Sequence, residues 1–402
     1  MKILIVTTYG FDPAFPSRPE QIQARALVRR GHGVIAHEYR DLRYPGQTHR
    51  HEWLSGGLPV HRAPTYGFFA PEALLRLLSA DRPDVIHLHH MRSLLGFQTV
   101  LAARQLGIPT VLTIHGLLHD GDLVADRERP LEAPLRYNNL LTTPEQLLYR
   151  LATGAHPRRA LRNYLIHAPL HWVDQVVALS HSERELLIRI KVKPERIRVL
   201  PNAVDLPTST AEPNYDRPEP MVLFIGQLVP RKGFDLLARA IPAVVDAIPA
   251  ARFIFVSHNR AGEAELRQIV AAAGVADRLE LRGRVSEAEK LELLGRAAVV
   301  VVPSRYEGFG IPLIEALLAG APVVTSDVMA NNEVVAHEYS GLLTPYADVP
   351  ALAAAIVRLL EDRALASRLA AQGRREVVAR YGADRLAAQL EALYRSLKHA
   401  AT

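Results

Sequence analysis

The sequence predicts an α/β protein made of two Rossmann-like, doubly wound domains that face each other across a cleft. Two observations carry this prediction. Short apolar runs rich in β-branched residues alternate with stretches of helical periodicity along most of the 402 residues, as is typical of parallel sheets covered by helices on both faces. The alternation stops once, near residue 210, and then starts again, which indicates two successive domains.

The N-terminal domain is predicted to span residues 1–205. Its continuous apolar runs predict buried strands, and the periodic stretches between them predict helices. The predicted strands are residues 3–6, 34–37, 85–88, 111–114 and 176–179, and the predicted helices include 21–30 and 94–106.

A Pro-rich polar stretch, residues 206–220, is predicted to be a linker because it shows no periodicity. The C-terminal domain then spans 221–382 and is followed by a terminal helix, 383–402. Ser286 and Glu289 form a capping-box pattern that predicts a helix start. Further strands are predicted at 222–225, 253–256, 299–302 and 323–325, and helices at 236–248, 264–273, 313–319, 352–360 and 365–397, the last with a break near 381–382.

Composition narrows the classes of function. The absence of cysteine excludes disulfides, thiolate metal sites and a cysteine nucleophile. Residues 1–205 hold 26 basic and 19 acidic residues (+7), and residues 206–402 hold 22 and 23 (−1), which together give the net charge of +6. No dense Lys/Arg run or RNA-binding aromatic motif accompanies this excess, so nucleic acid is not a predicted partner. No membrane-spanning run or signal-peptide pattern is found either, and a cytoplasmic protein is expected.

The predicted strand 299–302 leads into a turn that contains glycines. Gly308 and Gly310 permit a tight turn with exposed N–H groups, and Pro312 suits the first turn of a helix whose N-terminus favours a phosphate. Glu307 and Glu315 are suited to accept hydrogen bonds from sugar hydroxyls. The alternative is a plain strand–turn–helix in which an acid complements the helix dipole.

Two further candidates follow other predicted strands. Gly226 begins a loop that carries Arg231 and Lys232, two adjacent cations that suit a diphosphate; the alternative is a solvated basic turn. His115 ends the strand near 111–114, where a neutral imidazole can orient a sugar hydroxyl or a leaving group. The alternative for His115 is an imidazole with satisfied hydrogen bonds in the core or at its rim.

Together these stretches resemble the retaining GT-B glycosyltransferases of family 4, which transfer sugars from nucleotide donors. The E-x7-E element is complete as Glu307 and Glu315. Arg-Gly-His at 30–32, Pro-Asn-Ala-Val-Asp at 201–205 and the segments 226–233, 303–310 and 319–326 also resemble the family, in the same order. Several spaced motifs in one order are more specific than a single motif.

The resemblance implies a role for each matching residue. Arg231 and Lys232 would neutralise the departing diphosphate, Glu307 would contact the donor sugar, and Glu315 would bind the ribose hydroxyls. His115, from the other domain, would face the sugar. These assignments make His115, Arg231, Lys232 and Glu307 the implied catalytic residues. The other implied donor contacts are Gly226, Val285 (beside the base), Gly308, Phe309, Gly310 and Ile311.

The same resemblance implies retention of anomeric configuration, a UDP- or GDP-linked sugar as donor, and no essential cofactor or metal, since preorganised cations and amides replace a divalent ion. The departing phosphate oxygen would accept the acceptor's proton. The terminal helix would pack back on the N-terminal domain, which would bind a glycan, lipid-linked or small-molecule acceptor. Candidate acceptor residues are Arg18, His89 and His90.

The chain departs from the family in three places. Family members carry a Gly-Gly pair after the first strand, whereas residues 12–19 here contain no glycine, and Arg18 is the proposed substitute for the missing backbone contacts. Ala203 stands where the family has glycine. Residues 257–259 (Ser-His-Asn) replace a glycine-containing turn, so the base or ribose side of the site is expected to differ.

Other patterns are not expected to carry the chemistry. Asp120 and Asp122 match a D-x-D metal motif but lie in a loop of the N-terminal domain. His87 and His89 share a strand face without enough further ligands for zinc. Glu307 and Glu315 belong to one loop and helix rather than to opposite sides of a groove, which argues against glycoside hydrolysis.

The Arg-rich segment 119–172 has weak strand signals. Its part 158–172 combines basic and aromatic residues, which fits an amphipathic helix on an anionic membrane surface or a wall for an anionic acceptor. A solvated helix with its Leu and Tyr face packed inward is the alternative. The predicted function is a retaining hexosyltransferase; a non-catalytic sugar-nucleotide or glycan-binding relic and a sugar-nucleotide epimerase of the same architecture are the alternatives.

Overall fold

The computed structural model describes residues 1–8, 11–12, 16–41, 50–54, 58–65, 78–79, 82–90, 93–116, 144–205 and 219–401. These residues form two compact units. The first unit contains the described residues of 1–119, 136–205 and 382–402. The second contains the described residues of 206–381.

The first unit contains an eight-stranded sheet with the order β3-β4-β2-β1-β5-β6-β7-β8. All neighbouring strands are parallel except β3 and β4, which are antiparallel. The strands are β1 (Lys2–Thr8), β2 (Gly33–Asp41), β3 (Arg50–Leu54), β4 (Leu58–Thr65), β5 (Val85–His89), β6 (Thr110–Thr113), β7 (Gln175–Ala178) and β8 (Ile197–Val199). The order reverses between β1 and β5, so the carboxyl ends of these two strands form the topological switch point where ligands of such sheets bind.

Helices of this unit begin at local sequence signals. Pro19 occupies the first turn of α1, where its missing N–H has no intrahelical partner in any case. Ser93 and Ser180 cap α2 and α5 by accepting hydrogen bonds from Gly96 N (3.3 Å) and Glu183 N (3.0 Å). The helices are α1 (Pro19–Arg29), α2 (Leu94–Gln105), α3 (Pro144–Thr153), α4 (Pro157–Trp172) and α5 (His181–Arg189).

The second unit contains a six-stranded parallel sheet with the order β11-β10-β9-β12-β13-β14. Its strands are β9 (Met221–Ile225), β10 (Arg252–Val256), β11 (Leu279–Arg282), β12 (Val299–Val302), β13 (Val323–Ser326) and β14 (Leu342–Thr344). The order reverses between β9 and β12, which makes their carboxyl ends the switch point of this sheet.

The helices of the second unit flank its sheet and bury a core around Phe224, Phe253 and Phe255. The predicted capping box is confirmed, because Ser286 Oγ accepts from Glu289 N (3.2 Å) and Glu289 Oε2 accepts from Ser286 N (2.8 Å). The helices are α6 (Phe234–Ala247), α7 (Glu263–Ala272), α8 (Glu287–Arg296), α9 (Ile311–Leu318), α10 (Met329–Val334), α11 (Val349–Glu361) and α12 (Arg363–Tyr381).

The last helix, α13 (Ala383–Ala401), lies in the first unit. The sequence analysis counted Gly382 with the C-terminal domain, whereas its backbone forms a parallel bridge with Val204 of the first unit. Leu390 and Tyr394 of α13 are buried in the same core cluster as residues of α1. Arg30 Nε donates to Glu391 Oε2 at 2.8 Å, so apolar burial and an ion pair both hold this helix on the first unit.

The predicted fold class is confirmed: both sheets are predominantly parallel and are covered by helices. The strands that the sequence analysis missed are β3, β4, β8, β11 and β14. They are short or lie toward the sheet edges, where a strand is buried less and its sequence need not be continuously apolar. Residues 206–218 of the predicted linker, and Asp120 and Asp122, lie outside the described residues. None of the described helices has the length and hydropathy needed to cross a membrane.

Candidate functional site

The two loops at the switch point of the second sheet are joined backbone to backbone. Arg305 N, after β12, donates to Arg231 O, after β9, at 2.9 Å. Gly233 has a φ of 69°, and a Cβ there would lie 2.0 Å from Pro303 O, so only glycine fits this position. Arg305 itself is 2% exposed, and its guanidinium lies 5.6 Å from the centre of the Tyr346 ring, which anchors the second loop from inside.

This contact brings two of the predicted catalytic residues together. Lys232 Nζ donates to Glu307 Oε1 at 2.5 Å, and Ser304 Oγ donates to the same oxygen at 2.7 Å. Both charged side chains are largely buried, with 15% and 8% of their surface exposed. A buried ion pair with a further hydrogen bond holds both charges in fixed positions. Arg231 is half-buried beside it, and its Nη2 donates to Gln227 Oε1 at 3.2 Å.

The turn after Glu307 exposes the start of α9. Gly310, with a φ of 84°, precedes the helix, and no side chain caps it. Pro312 has no N–H and Leu313 N already donates to Gly310 O at 2.9 Å, so the N–H of Ile311 is the one left for an anionic ligand in this first turn. Phe309 is 6% exposed and packs edge-on against Tyr381, with the ring centres 5.4 Å apart. Because the Phe309 side chain is buried in this way, only its backbone is accessible to a donor. Ile311, another predicted donor contact, is partly exposed.

Glu315 lies on α9 and is paired with a residue that the sequence analysis missed. Lys290 Nζ donates to Glu315 Oε1 at 2.7 Å and to Glu287 Oε2 at 2.8 Å. Burial raises the pKa of Glu315 above its usual range, and Lys290 offsets only part of this rise. Lys290 belongs to α8, which begins just after Val285. The rarity of lysine was the one signal in the sequence that pointed to Lys290, since the chain has only six lysines.

The segment 257–259 forms its turn without glycine. Ser257 Oγ donates to Asn259 O at 2.7 Å, and Asn259 Oδ1 accepts from Ala261 N at 3.0 Å. The backbone of Asn259 in turn accepts from Leu228 N at 3.2 Å. Side-chain hydrogen bonds of this kind replace the freedom of a glycine. The loop that begins at Gly226 is therefore supported from the β10 side despite the departure from the family pattern.

In the first unit, three histidines meet at the carboxyl ends of β5 and β6. His89 Nδ1 and His115 Nε2 share a hydrogen bond of 2.7 Å. The His115 ring is stacked between the His89 and His90 rings, at centre distances of 5.0 and 4.2 Å. His90 and His115 have φ angles of 56° and 54°, a left-handed conformation that is unusual for histidine. Burial holds the pKa values of His89 and His115 well below the usual value, so both imidazoles are neutral.

The cluster is completed by Glu20, in the first turn of α1, which the sequence analysis missed. Its Oε1 lies 2.5 Å from His90 Nε2 and 3.9 Å from His115 Nε2. Burial by itself would raise the pKa of Glu20, but the hydrogen bond from His90 and the nearby imidazoles lower it to about 2. Arg18 stands at the N-cap of the same helix, so all three predicted acceptor residues lie on elements of this switch point.

His87 plays no part in this site. Its Nδ1 accepts from Tyr394 Oη at 2.6 Å and from Gln23 Nε2 at 2.9 Å, so its Nε2–H donates to Thr113 Oγ1 at 2.8 Å. Burial lowers the pKa of His87 to about 3. It is a neutral core histidine with both nitrogens satisfied by hydrogen bonds.

A cavity of about 520 Å³ lies near β9, β10 and β11 but away from these residues. It is lined by Arg252, Arg278 and Arg296 together with acidic side chains. Arg296 pairs with Glu219 at 2.8 Å, and Arg278 with Asp277 at 3.1 Å. Because Arg278 and Arg296 are already paired, and the lining includes Met221 at the amino end of β9, we place the functional site at the opposite, carboxyl edge of the sheet.

Each half of the chain matches the model of a known protein family. Residues 23–207 match the model of "Glycosyltransferase Family 4", and residues 219–362 match "Glycosyl transferases group 1". The two matches follow one another and cover most of the chain. The chain belongs to the family 4, group 1 glycosyltransferases.

Characterised relatives are distant. The chain is 26% identical over 81% of its length to the phosphatidylinositol N-acetylglucosaminyltransferase GPI3 subunit of Saccharomyces cerevisiae, and 34% identical over 49% to the phosphatidyl-myo-inositol mannosyltransferase of Mycobacterium leprae. These matches span 66% and 53% of the relatives' own lengths. An uncharacterised glycosyltransferase of Methanocaldococcus jannaschii is 27% identical, with 92% of both chains covered.

Solved structures share the architecture. Sucrose-phosphate synthase from Thermosynechococcus elongatus superposes with a TM-score of 0.72 at 24% identity and full coverage of both chains. HepE of Anabaena, in complex with UDP, superposes with a TM-score of 0.71 at 20% identity, covering 98% of this chain and 100% of HepE. The fold is therefore that of the GT-B glycosyltransferases.

Replacing Gly233 by alanine tests the close backbone contact at the switch point. The positive φ costs alanine roughly 1–2 kcal/mol, and the contact of its Cβ with Pro303 O adds about 1–3 kcal/mol of overpacking. Gly274→Ala is the matched control, since Gly274 has a φ of 71° but no atom within 4 Å of a Cβ. We expect urea unfolding to show a clearly larger loss for Gly233→Ala. Equal losses of stability in the two variants would mean that the positive φ alone, and not the contact with Pro303 O, requires glycine at position 233.

Proposed function

We propose that this glycosyltransferase is a retaining hexosyltransferase. In this proposal it moves a sugar from a UDP- or GDP-linked donor to a glycan, lipid-linked or small-molecule acceptor, with no essential metal. The observation that carries the proposal is the buried Lys232–Glu307 pair beside Arg231, held against the uncapped start of α9. This arrangement offers two cations and the N–H of Ile311 to a diphosphate, and a carboxylate to a sugar.

The contacts of Lys232 indicate how the proposed donor diphosphate is bound. Without a ligand, the charge of Lys232 is matched by Glu307. A donor diphosphate offers Lys232 a second anion, and an ammonium group with three N–H donors can contact both. Arg231 adds a second cation on the same loop. As the anomeric C–O bond breaks, negative charge grows on the diphosphate, and these cations stabilise the transition state more than the ground state.

Proton transfer requires no further residue in this proposal. In front-side transfer the leaving phosphate oxygen takes the proton of the acceptor hydroxyl, so that atoms and charges balance without a protein base. His115 is assigned to the donor sugar from the family resemblance. Its neutral imidazole can accept a hydrogen bond from a hydroxyl at one nitrogen while donating at the other.

The relatives support particular donor and acceptor classes. HepE has been solved with UDP and with UDP-glucose, which favours a UDP-linked sugar. The yeast and mycobacterial relatives are named for phosphatidylinositol and phosphatidyl-myo-inositol, which favours a lipid-linked acceptor. We therefore propose a UDP-linked sugar as the donor and a lipid-linked molecule as the acceptor. We also propose that the protein is a cytoplasmic enzyme that binds to an anionic membrane surface.

Replacing Lys232 tests the role of the buried pair. Lys232→Met keeps the volume but removes the charge that would face the diphosphate, so we expect kcat/KM to fall about 100-fold to 1000-fold. Arg358→Met is the matched control, since Arg358 also pairs with a carboxylate, Glu338, but is 48% exposed and lies on α11. The control should stay within about twofold of the wild type. The donor for the assay is the nucleotide sugar that raises the melting temperature most, because ligand binding stabilises the folded state.

The same assay separates the alternatives. A retained anomeric configuration in the product, observed by NMR, supports the proposed mechanism, and inversion overturns it. Release of an epimerised sugar nucleotide without acceptor would identify an epimerase. Donor binding with no turnover on any acceptor would identify a binding relic. Loss of activity in excess chelator would contradict metal-independent transfer.

The pH dependence of donor binding tests the assignment of Glu315 to the ribose. If the ionised carboxylate binds the hydroxyls, affinity falls as pH drops through the Glu315 pKa, by up to about tenfold per pH unit. Because that pKa is raised, the fall begins at a higher pH than for an ordinary glutamate. Lys290→Met removes the paired cation and should move the fall to still higher pH. Calorimetry with Glu315→Gln should show weaker binding and no such fall; a profile unchanged from the wild type would remove Glu315 from the site.

Two helices of the first unit support the membrane proposal. Every residue of α3 is at least partly exposed, and Leu148, Tyr149 and Leu151 are 66%, 68% and 46% exposed. The neighbouring α4 exposes Arg158 and Arg162 in its first turns. Exposed apolar side chains beside arginines suit the interface of an anionic bilayer. The sequence analysis had offered inward packing of the apolar face as the alternative for 158–172, and buried residues such as Leu170 lie near the end of α4.

Vesicle binding tests this surface. We expect co-sedimentation with phosphatidylglycerol-containing vesicles and little with neutral ones. Leu148→Ser with Tyr149→Ser should weaken binding to anionic vesicles, and each of Arg158→Ala and Arg162→Ala should weaken it by about fivefold. Leu291→Ser is the control, since Leu291 is 59% exposed on α8 of the other unit. Equal binding by all variants would exclude α3 and α4 as the contact.

A further inference from the structure

The histidine and carboxylate cluster of the first unit has the composition of a metal site. One ligand atom each of Glu20, His89 and His115 lies within 4.8 Å of the other two, and this is the sole such group of three found among the described residues. All three side chains are buried, and they come from α1, β5 and the end of β6. Residues distant in sequence are therefore fixed together by the switch point.

Two buried atoms of this cluster lack a hydrogen-bond partner. They are Glu20 Oε2 and His89 Nε2, and their side chains are among the most buried of the unit, since Glu20 is 1% exposed and His89 is 0% exposed. A buried polar atom without a partner is costly unless something else satisfies it. A metal ion that the carboxylate binds through both of its oxygens would satisfy Glu20 Oε2.

We propose that Glu20, His89 and His115 bind a divalent transition metal ion of the zinc class, with three protein ligands and one open position. Two imidazoles and one carboxylate are a ligand set that zinc takes in proteins, with an exchangeable fourth ligand. The remaining contact of the carboxylate is His90, whose Nε2 lies 2.5 Å from Glu20 Oε1. It takes the supporting role that hydrogen bonds to ligating carboxylates have in metal sites.

The required rearrangement is small. Ligands of a tetrahedral ion with bonds near 2.0–2.1 Å lie roughly 3.3 Å apart. His89 Nδ1 and His115 Nε2 are 2.7 Å apart, His115 Nε2 and Glu20 Oε1 are 3.9 Å apart, and one ligand atom of each residue lies within 4.8 Å of the other two, so shifts on the order of 1 Å reach that geometry. The ring that donates in the His89–His115 hydrogen bond only has to change tautomer.

The metal would act on transfer as an inhibitor. An ion bound to His115 Nε2 leaves the ring proton on Nδ1, so the imidazole can no longer accept a hydrogen bond from a hydroxyl at that nitrogen. This consequence rests on the role proposed above for His115, whereas metal binding itself does not. The site therefore agrees with metal-independent transfer and adds sensitivity to free zinc.

Direct binding tests the site without any assay of transfer. The full chain, stripped with chelator, is titrated with Co²⁺ and, by equilibrium dialysis, with Zn²⁺. We expect one ion per chain and the intense visible bands of four-coordinate Co²⁺. Glu20→Gln should weaken binding at least about tenfold, since even outer-shell changes cost that much. Absence of the bands and of stoichiometric zinc in the wild type would overturn the proposal.

A matched control separates this site from ordinary histidine binding. His37 and His61 form another close pair in the same sheet, with their Nδ1 atoms 3.2 Å apart, but no group of three ligands among the described residues includes them. His61→Asn should leave the bound ion in place, whereas His89→Asn should lose it. If His89→Asn does not fold, the weaker metal binding of Glu20→Gln and the Co²⁺ spectrum of the wild type still test whether the ion binds at this cluster. Loss of the ion in His61→Asn instead would locate the metal elsewhere.

The inhibition is measured separately. Zinc should inhibit wild-type transfer over the concentration range in which it binds, and Glu20→Gln, relative to its own metal-free rate, should need at least about ten times more. Binding without inhibition would keep the metal site and remove His115 from the transfer reaction. Inhibition of both proteins at the same concentration would mean that zinc acts at another site.

Discussion

The candidate donor site depends on one backbone contact. Gly233 lies so close to Pro303 O that no side chain fits, and Arg305 N donates to Arg231 O across the same boundary. These contacts fix the loop after β9 against the loop after β12. Lys232 and Glu307 meet because of this contact, and a charged pair with so little exposure is stable only when its partners are held in place.

The two switch points are electrostatically different. In the second unit, opposite charges face each other, and the cations Arg231 and Lys232 stand beside a free helix start. In the first unit, burial keeps His89 and His115 neutral beside the ionised Glu20. Fixed charge suits a group that leaves as an anion, whereas neutral imidazoles offer lone pairs to hydroxyls or to a metal ion. The same type of sheet thus presents two kinds of chemistry.

Much of the site was predictable from sequence because its residues are close along the chain. Glu307 and Glu315 lie in one strand–turn–helix, and Arg231 and Lys232 are adjacent. Glu20 and Lys290 were not predicted, since Glu20 meets His90 from 70 positions away and Lys290 meets Glu315 from 25 positions away. No local pattern distinguishes a glutamate in the first turn of α1 from one that merely complements the helix dipole.

The sequence by itself determined the fold class, the two successive sheets and the family, because strand and helix periodicity and spaced motifs are properties of short segments. Tertiary structure alone decided which side chains share an environment. Strand order places the ends of β9 and β12 side by side, and likewise those of β1, β5 and β6. The pKa values of Glu20, His115 and Glu315 then follow from this placement, because desolvation, hydrogen bonds and neighbouring charges depend on distances in space rather than along the chain.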